Sequence, residues 1–139
     1  MPTVQEKKIV EIIAIRLTPG MDLLQGIYDA CKTYNFKDAV LLSAIGSLKH
    51  VNVFNCVPTS FENEEIHYGF SDKPREWGDL QGVQEMCSVK GTIHTDEDGE
   101  PAGNLYVTFS NAAGTVLGGK LAPGTLVKLT SEVIIGKIV

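Results

Sequence analysis

Gly103-Asn104-Leu105-Tyr106-Val107-Thr108-Phe109-Ser110, then Asn111-Ala112-Ala113-Gly114, then Thr115-Val116-Leu117-Gly118-Gly119-Lys120-Leu121 is the stretch that decides the fold. Leu105, Val107 and Phe109 alternate with Asn104, Tyr106, Thr108 and Ser110, the period of a strand buried on one face only. Asn111 to Gly114 supplies the residue types of a tight hairpin connection. Residues 115–121 return as a second strand carrying two adjacent glycines. Paired glycines inside a strand mark a bulge or the close approach of another backbone, and a bulge needed for packing is the expectation here.

Working outward, Ala122-Pro123-Gly124 turns the chain again and Leu126–Ile138 forms a long final strand. Its apolar residues fall on both faces, with Leu126 and Ile134 on one and Val127, Leu129, Val133 and Ile135 on the other. A chain of 139 residues needs something to cover the second face. Towards the N-terminus, Gln84–Thr95 reads as a strand running into the acidic turn Asp96-Glu97-Asp98-Gly99-Glu100-Pro101. Residues 39–46 and 49–57 read as two separate strands parted near Gly46-Ser47, with Pro58-Thr59-Ser60 as punctuation. A short strand is expected at Glu65–Phe70, followed by a long loop to Gly82 around the single Trp77.

Residues 8–17 are rich in Ile and Val and read as a strand that Thr18-Pro19-Gly20 ends. Asp22 is placed to cap a helix over residues 23–34, whose apolar stripe is Leu23, Ile27, Tyr28 and Cys31. Leu17-Thr18-Pro19-Gly20 also echoes Leu121-Ala122-Pro123-Gly124. The expectation is a single α+β domain over residues 1–139, a largely antiparallel sheet of about seven or eight strands packed with one main helix.

Composition constrains function by exclusion. The formal net charge is −5 and the lysines and arginines are scattered, which argues against unaided binding to duplex DNA. Three cysteines, none in a C-x-x-C pair, suggest neither a disulfide framework nor a zinc site, and Cys31 and Cys87 read as small buried hydrophobes. There is no signal-like N-terminus and no apolar run near the ~20 residues of a membrane span, so the cytoplasm is the expected location and no membrane partner is expected. The histidines at 50, 67 and 94 match no compact metal motif, and no serine sits in a nucleophile elbow. Neither a cofactor nor a catalytic residue is expected.

The order Leu17-Thr18-Pro19-Gly20, Ala44-Ile45-Gly46-Ser47-Leu48, Gln84-Glu85-Met86, Gly91-Thr92-Ile93, the 103–110 strand and Val116-Leu117-Gly118-Gly119 resembles the plant and prokaryote conserved (PPC) domain family, as a stand-alone member without an AT-hook. The resemblance spans nearly the whole chain. It implies a helix-flanked antiparallel sheet, similar to that of acetolactate decarboxylase, and a homotrimer that buries sheet edges and apolar faces. It also implies a DNA-binding or regulatory role, although much of that description belongs to AT-hook members. Many prokaryotic members hold a metal with two histidines alternating on one strand and a third after the paired glycines. Those positions are Asn104, Tyr106 and Lys120 here, so the metal site is expected to be lost. Glu85, Asn104, Tyr106 and Lys120 are then the candidate lining of a metal-free cleft in which Lys120 attracts a small anionic ligand or an acidic group of a protein partner. The plainer reading pairs Lys120 with a carboxylate such as Glu85. A metal-free small-molecule-binding protein or enzyme using that cleft of an acetolactate-decarboxylase-like fold is the alternative function.

Overall fold

The computed structural model describes residues 1–78 and 82–139. Among them lie one α-helix, α1 (Leu23–Thr33), and nine strands. The strands are β1 (Ile9–Leu17), β2 (Ala39–Phe54), β3 (Cys56–Glu62), β4 (Glu65–Phe70), β5 (Arg75–Trp77), β6 (Gln84–Thr95), β7 (Pro101–Ser110), β8 (Val116–Leu121) and β9 (Leu126–Ile138). Seven form one sheet in the order β1-β9-β2-β6-β7-β8, with β5 paired to β2. All pairings are antiparallel. The sheet curls until β8 returns to the far end of β2, with Val53 opposite Leu121 and Phe54 opposite Lys120. Closure removes an exposed edge, a recurrent solution for a small antiparallel sheet.

The inside of this curl is the core. Leu105, Val107 and Phe109 are buried as their alternation predicts, beside Val51, Val53, Val89 and Ile93. Trp77 packs edge-on against Phe109, with ring centres 6.2 Å apart. The helix lays Leu23, Ile27 and Cys31 onto the same core. Asp22 caps it by accepting from the Gln25 amide at 3.0 Å, and its other carboxylate oxygen accepts from the Gly124 amide at 2.7 Å. The two Pro-Gly turns that echo each other in sequence therefore lie side by side. Gly20 donates to the Val127 carbonyl and Leu23 to that of Thr125, at 2.9 and 2.8 Å.

Several local expectations are corrected. Residues 39–54 are one strand of 16 residues, because Gly46 adopts φ +143° opposite Thr130 and Ser131, where a side chain would strike backbone; the glycine marks a close crossing inside a strand. The Pro58-Thr59-Ser60 segment lies within β3, which forms a two-stranded hairpin with β4 that turns at Asn63-Glu64, both at positive φ. The expected loop before Gly82 contains the short strand β5, and its residues 79–81 lie outside the described residues. The Gly118-Gly119 pair forms no bulge: β7 and β8 keep an unbroken register from Tyr106–Lys120 to Ser110–Val116. Close approach is the physical reason, since a Cβ at Gly119 would lie 2.8 Å from the Phe54 carbonyl oxygen and one at Gly118 2.7 Å from that of Val107. Leu129 is exposed, unlike Val127, Val133 and Ile135 with which its spacing grouped it.

Candidate functional site

The outer face of the curled sheet collects the polar residues of the deciding stretch. Register places Lys90 of β6 opposite Tyr106 of β7, and Tyr106 opposite Lys120 of β8. Directly opposed residues share a face, so Lys90, Tyr106 and Lys120 form one row across three strands. Asn104 lies two residues from Tyr106 on the same face, opposite Thr92. Asn104 and Tyr106 are exposed and Lys120 is half-buried. The Lys120 ammonium lies 5.0 Å above the centre of the Phe70 ring, a cation–π contact that fixes its stem and leaves its donors unused by the ring. Among the described residues neither Lys90 nor Lys120 has a carboxylate partner.

Three of the four residues expected to line a cleft are thus together. Glu85 is not with them: it lies opposite Ser110 and Ser47, five positions along β6 from Lys90. At ~3.4 Å per residue that is on the order of 15 Å, too far for Glu85 to pair with Lys120. Lys90 is the residue the sequence reading missed. A bulge at Cys87 sets its phase, for β6 slips against β7 between Met86 and Ser88. Counting from Glu85 without that bulge puts position 90 on the wrong face. The Asn104-x-Tyr106 alternation with a lysine on the preceding strand was the available signal.

Beside the row the sheet splits. β2 and β6 pair at Ala39–Val40 with Thr92–Ile93 and again at residues 46–48 with 84–86, in the same register. Between these stretches the strands part around an open groove of about 530 Å³ that includes Leu42, Ile45, Cys87 and Lys90 in its lining. Cys87 is exposed there, as is Cys56 on β3, so only Cys31 is the buried hydrophobe expected of it. Burial raises the Cys31 thiol to a pKa of about 11, which leaves it protonated and inert near neutrality.

The donor set does not suit a transition metal. A fixed ammonium beside an amide and a phenol repels a cation and offers neither imidazole nor thiolate. Among the described residues no three side chains of His, Cys, Asp or Glu converge anywhere. Nor, among those residues, does any serine or cysteine side chain bond to a histidine; Ser88 shares its hydroxyl with Thr108 at 2.8 Å, and the nearest partner of His50 is Glu76 at 3.8 Å. No described helix is long and apolar enough to cross a membrane.

Comparison with known proteins gives one family and a set of similar folds. The family profile of the Plants and Prokaryotes Conserved (PCC) domain matches residues 4–139. A plant- and prokaryote-conserved protein from Pyrococcus horikoshii superposes with a TM-score of 0.70 at 20% identity, covering 99% of this chain and 85% of that one. A metal-containing protein from Archaeoglobus fulgidus does so with 0.67 at 21% identity, covering 99% and 86%. A protein from Bacteroides thetaiotaomicron with a provisional DNA-binding name gives 0.67 at 12% identity, covering 94% and 80%. At these identities the likeness is one of fold. No curated protein matches the chain.

Proposed function

The chain belongs to the Plants and Prokaryotes Conserved domain family, and from this premise we propose that it is a non-enzymatic, homotrimeric binding module which takes an anionic group on the outer face of its sheet. The observation that carries the reading is the row Lys90–Tyr106–Lys120, two ammonium groups flanking a phenol on a rigid sheet, with Asn104 as an adjoining amide donor. A carboxylate or phosphate accepts from both ammoniums and from the phenol, and a half-buried lysine loses less water on binding than a fully hydrated one. Where the family resemblance expects metal ligands, this chain supplies fixed positive charge, so the anion replaces the metal as the species bound.

The partner is a small anionic molecule or an acidic group of a protein, in preference to duplex DNA. Several phosphates would have to be neutralised together, yet the chain has net charge −5 and contains no Arg-Gly-Arg-Pro segment. Trimer formation is supported by the apolar residues on the outer side of β1, β9 and β2, among them Ile12, Leu42, Ile45 and Ile134, all exposed in the single chain. Calorimetric titration with inorganic phosphate tests the reading. Binding that weakens at least tenfold in Lys120→Gln is expected, and equal binding by both proteins overturns it. A low-salt gel shift should show no retardation of duplex DNA at micromolar protein.

A further inference from the structure

The β3–β4 hairpin is an arm with one wholly apolar face. Phe70 and Tyr68 lie opposite Cys56 and Pro58, and Ile66 lies opposite Phe61. Alternation alone would turn Phe61 away from Pro58, because the two are three residues apart. The register slips between Pro58 and Ser60, so Thr59 is an extra residue that brings Phe61 back into line with Ile66, Tyr68 and Phe70. The bulge completes an apolar row that strict pairing would break. The opposite face carries Ser60, His67, Glu62 and Glu65.

Among the described residues that row stays largely uncovered. Phe61 is 70% exposed, Tyr68 61%, Ile66 53% and Phe70 45%. A two-stranded ribbon is marginal in water without a layer behind it. Its base is held firmly: Asn55 donates to the Gly118 carbonyl at 2.9 Å, Ser71 donates to the Asn55 carbonyl at 3.1 Å, and Phe70 lies under Lys120. The arm therefore springs from the point where the sheet closes, with its apolar side continuing the outer face.

We propose that this arm packs on the outer sheet face of a second copy of the chain, over Ile12, Leu42, Ile45 and Ile134 and the groove between β2 and β6. The inference rests on the homotrimeric reading above and names the contact that builds it. Three observations select a second copy as occupant. First, each chain carries both halves, an apolar arm and a separate apolar socket, and such heterologous surfaces close into a ring when the rotation permits. Second, the arm tip is acidic, with Glu62, Glu64 and Glu65, while the socket groove is edged by the carboxylate-free Lys90.

Third, the areas match. Scaling roughly 200 Å² per aromatic, and somewhat less for Ile66, by the exposures above gives about 400 Å² on the arm, and the four aliphatic side chains of the socket add roughly 300 Å². Apolar atoms make up about 65% of interfaces between identical chains, so about 700 Å² implies roughly 1,100 Å² in all. That is close to the ~1,200 Å² at which specific interfaces begin, and in a ring every chain makes the contact twice.

Light scattering coupled to gel filtration compares the wild type with the double variant Phe61→Ser, Tyr68→Ser, using far-UV circular dichroism to confirm the fold. The wild type is expected at three times the 15.1 kDa chain mass and the variant at the chain mass itself. A folded variant that keeps the wild-type trimer overturns the arm while leaving the trimer intact. A wild-type monomer overturns both. As a second readout that does not depend on destabilising the arm, Ile66→Cys in a Cys56→Ser background should give an intermolecular cross-link to Cys87 with a short bis-maleimide. A trimer that yields no such cross-link also overturns the proposal.

Discussion

Replacing Gly119 with alanine tests the closure of the sheet and the reason this glycine is there. Gly119 does not lie at positive φ, so alanine meets no intrinsic conformational penalty. Its new methyl group would stand 2.8 Å from the Phe54 carbonyl oxygen, 2.8 Å from Asn55 Nδ2 and 3.0 Å from Val53 Cβ. Two of these neighbours are backbone or stem atoms of β2 that cannot swing aside. Relief requires β8 to retreat from β2 by about 0.5–1 Å, and overpacking of this kind costs roughly 1–3 kcal/mol. The lower chain entropy of alanine in a strand returns about 0.5–1 kcal/mol. Taking the midpoints, a net loss of about 1.3 kcal/mol remains, which for a domain of this size lowers Tm by about 3–8 °C. Tryptophan fluorescence during thermal unfolding is a direct assay, because the single Trp77 pairs with Val51 on β2 and packs against Phe109 near the closure. Protein concentration must be fixed, since association raises apparent stability. Gly119→Asn is the control: asparagine eases a left-handed backbone but worsens a steric clash, so it should cost more than alanine. A Tm for Gly119→Ala within about 1 °C of wild type, or asparagine outperforming alanine, would refute the close-approach account.

Asp22→Ala removes both the helix cap and the acceptor for the Gly124 amide, and should cost about 1–2 kcal/mol, read by urea unfolding; a change under about 0.3 kcal/mol would contradict it. Phe109→Ala empties the buried ring that Trp77 packs on and should cost about 3–5 kcal/mol by the same assay, so a loss below about 1 kcal/mol would be inconsistent with the core described. Labelling with a thiol reagent under native conditions at pH 8 should spare Cys31 until the chain is unfolded; rapid labelling of Cys31 would contradict its burial. Because the folded pKa of Cys31 is raised, the unfolded chain loses that proton first. Stability is therefore unaffected below the ordinary thiol pKa and falls as pH climbs through the window up to about 11, with Tyr28, also raised chiefly by burial, acting in the same direction.

How far the fold could be read from residues depended on whether a local rule had a competitor. The 103–110 alternation had none, and its buried and exposed faces are those its period dictates. Asp22 and the helical stripe of Leu23, Ile27 and Cys31 were equally legible. Glycine was the ambiguous letter. At 46 and at 118–119 it stands where another backbone passes, and a sequence cannot distinguish that from a turn or a bulge. Bulges had the larger consequence. One at Cys87 moves Lys90 onto the face of Tyr106, and one at Thr59 aligns Phe61 with Tyr68; both depend on partner-strand register, which no single strand encodes. Thus Asn104, Tyr106 and Lys120 could be grouped in advance, whereas the distance of Glu85 from them could not.

The central claim is that an anion occupies the Lys90–Tyr106–Lys120 row in place of a metal. Amide chemical-shift mapping of the ¹⁵N-labelled protein during titration with inorganic phosphate tests it most directly. The account predicts saturable shifts confined to residues 90–92, 104–106 and 118–120, abolished by Lys120→Gln. Shifts scattered over the solvent-facing lysines, or the same localised response in the Lys120→Gln protein, would contradict it.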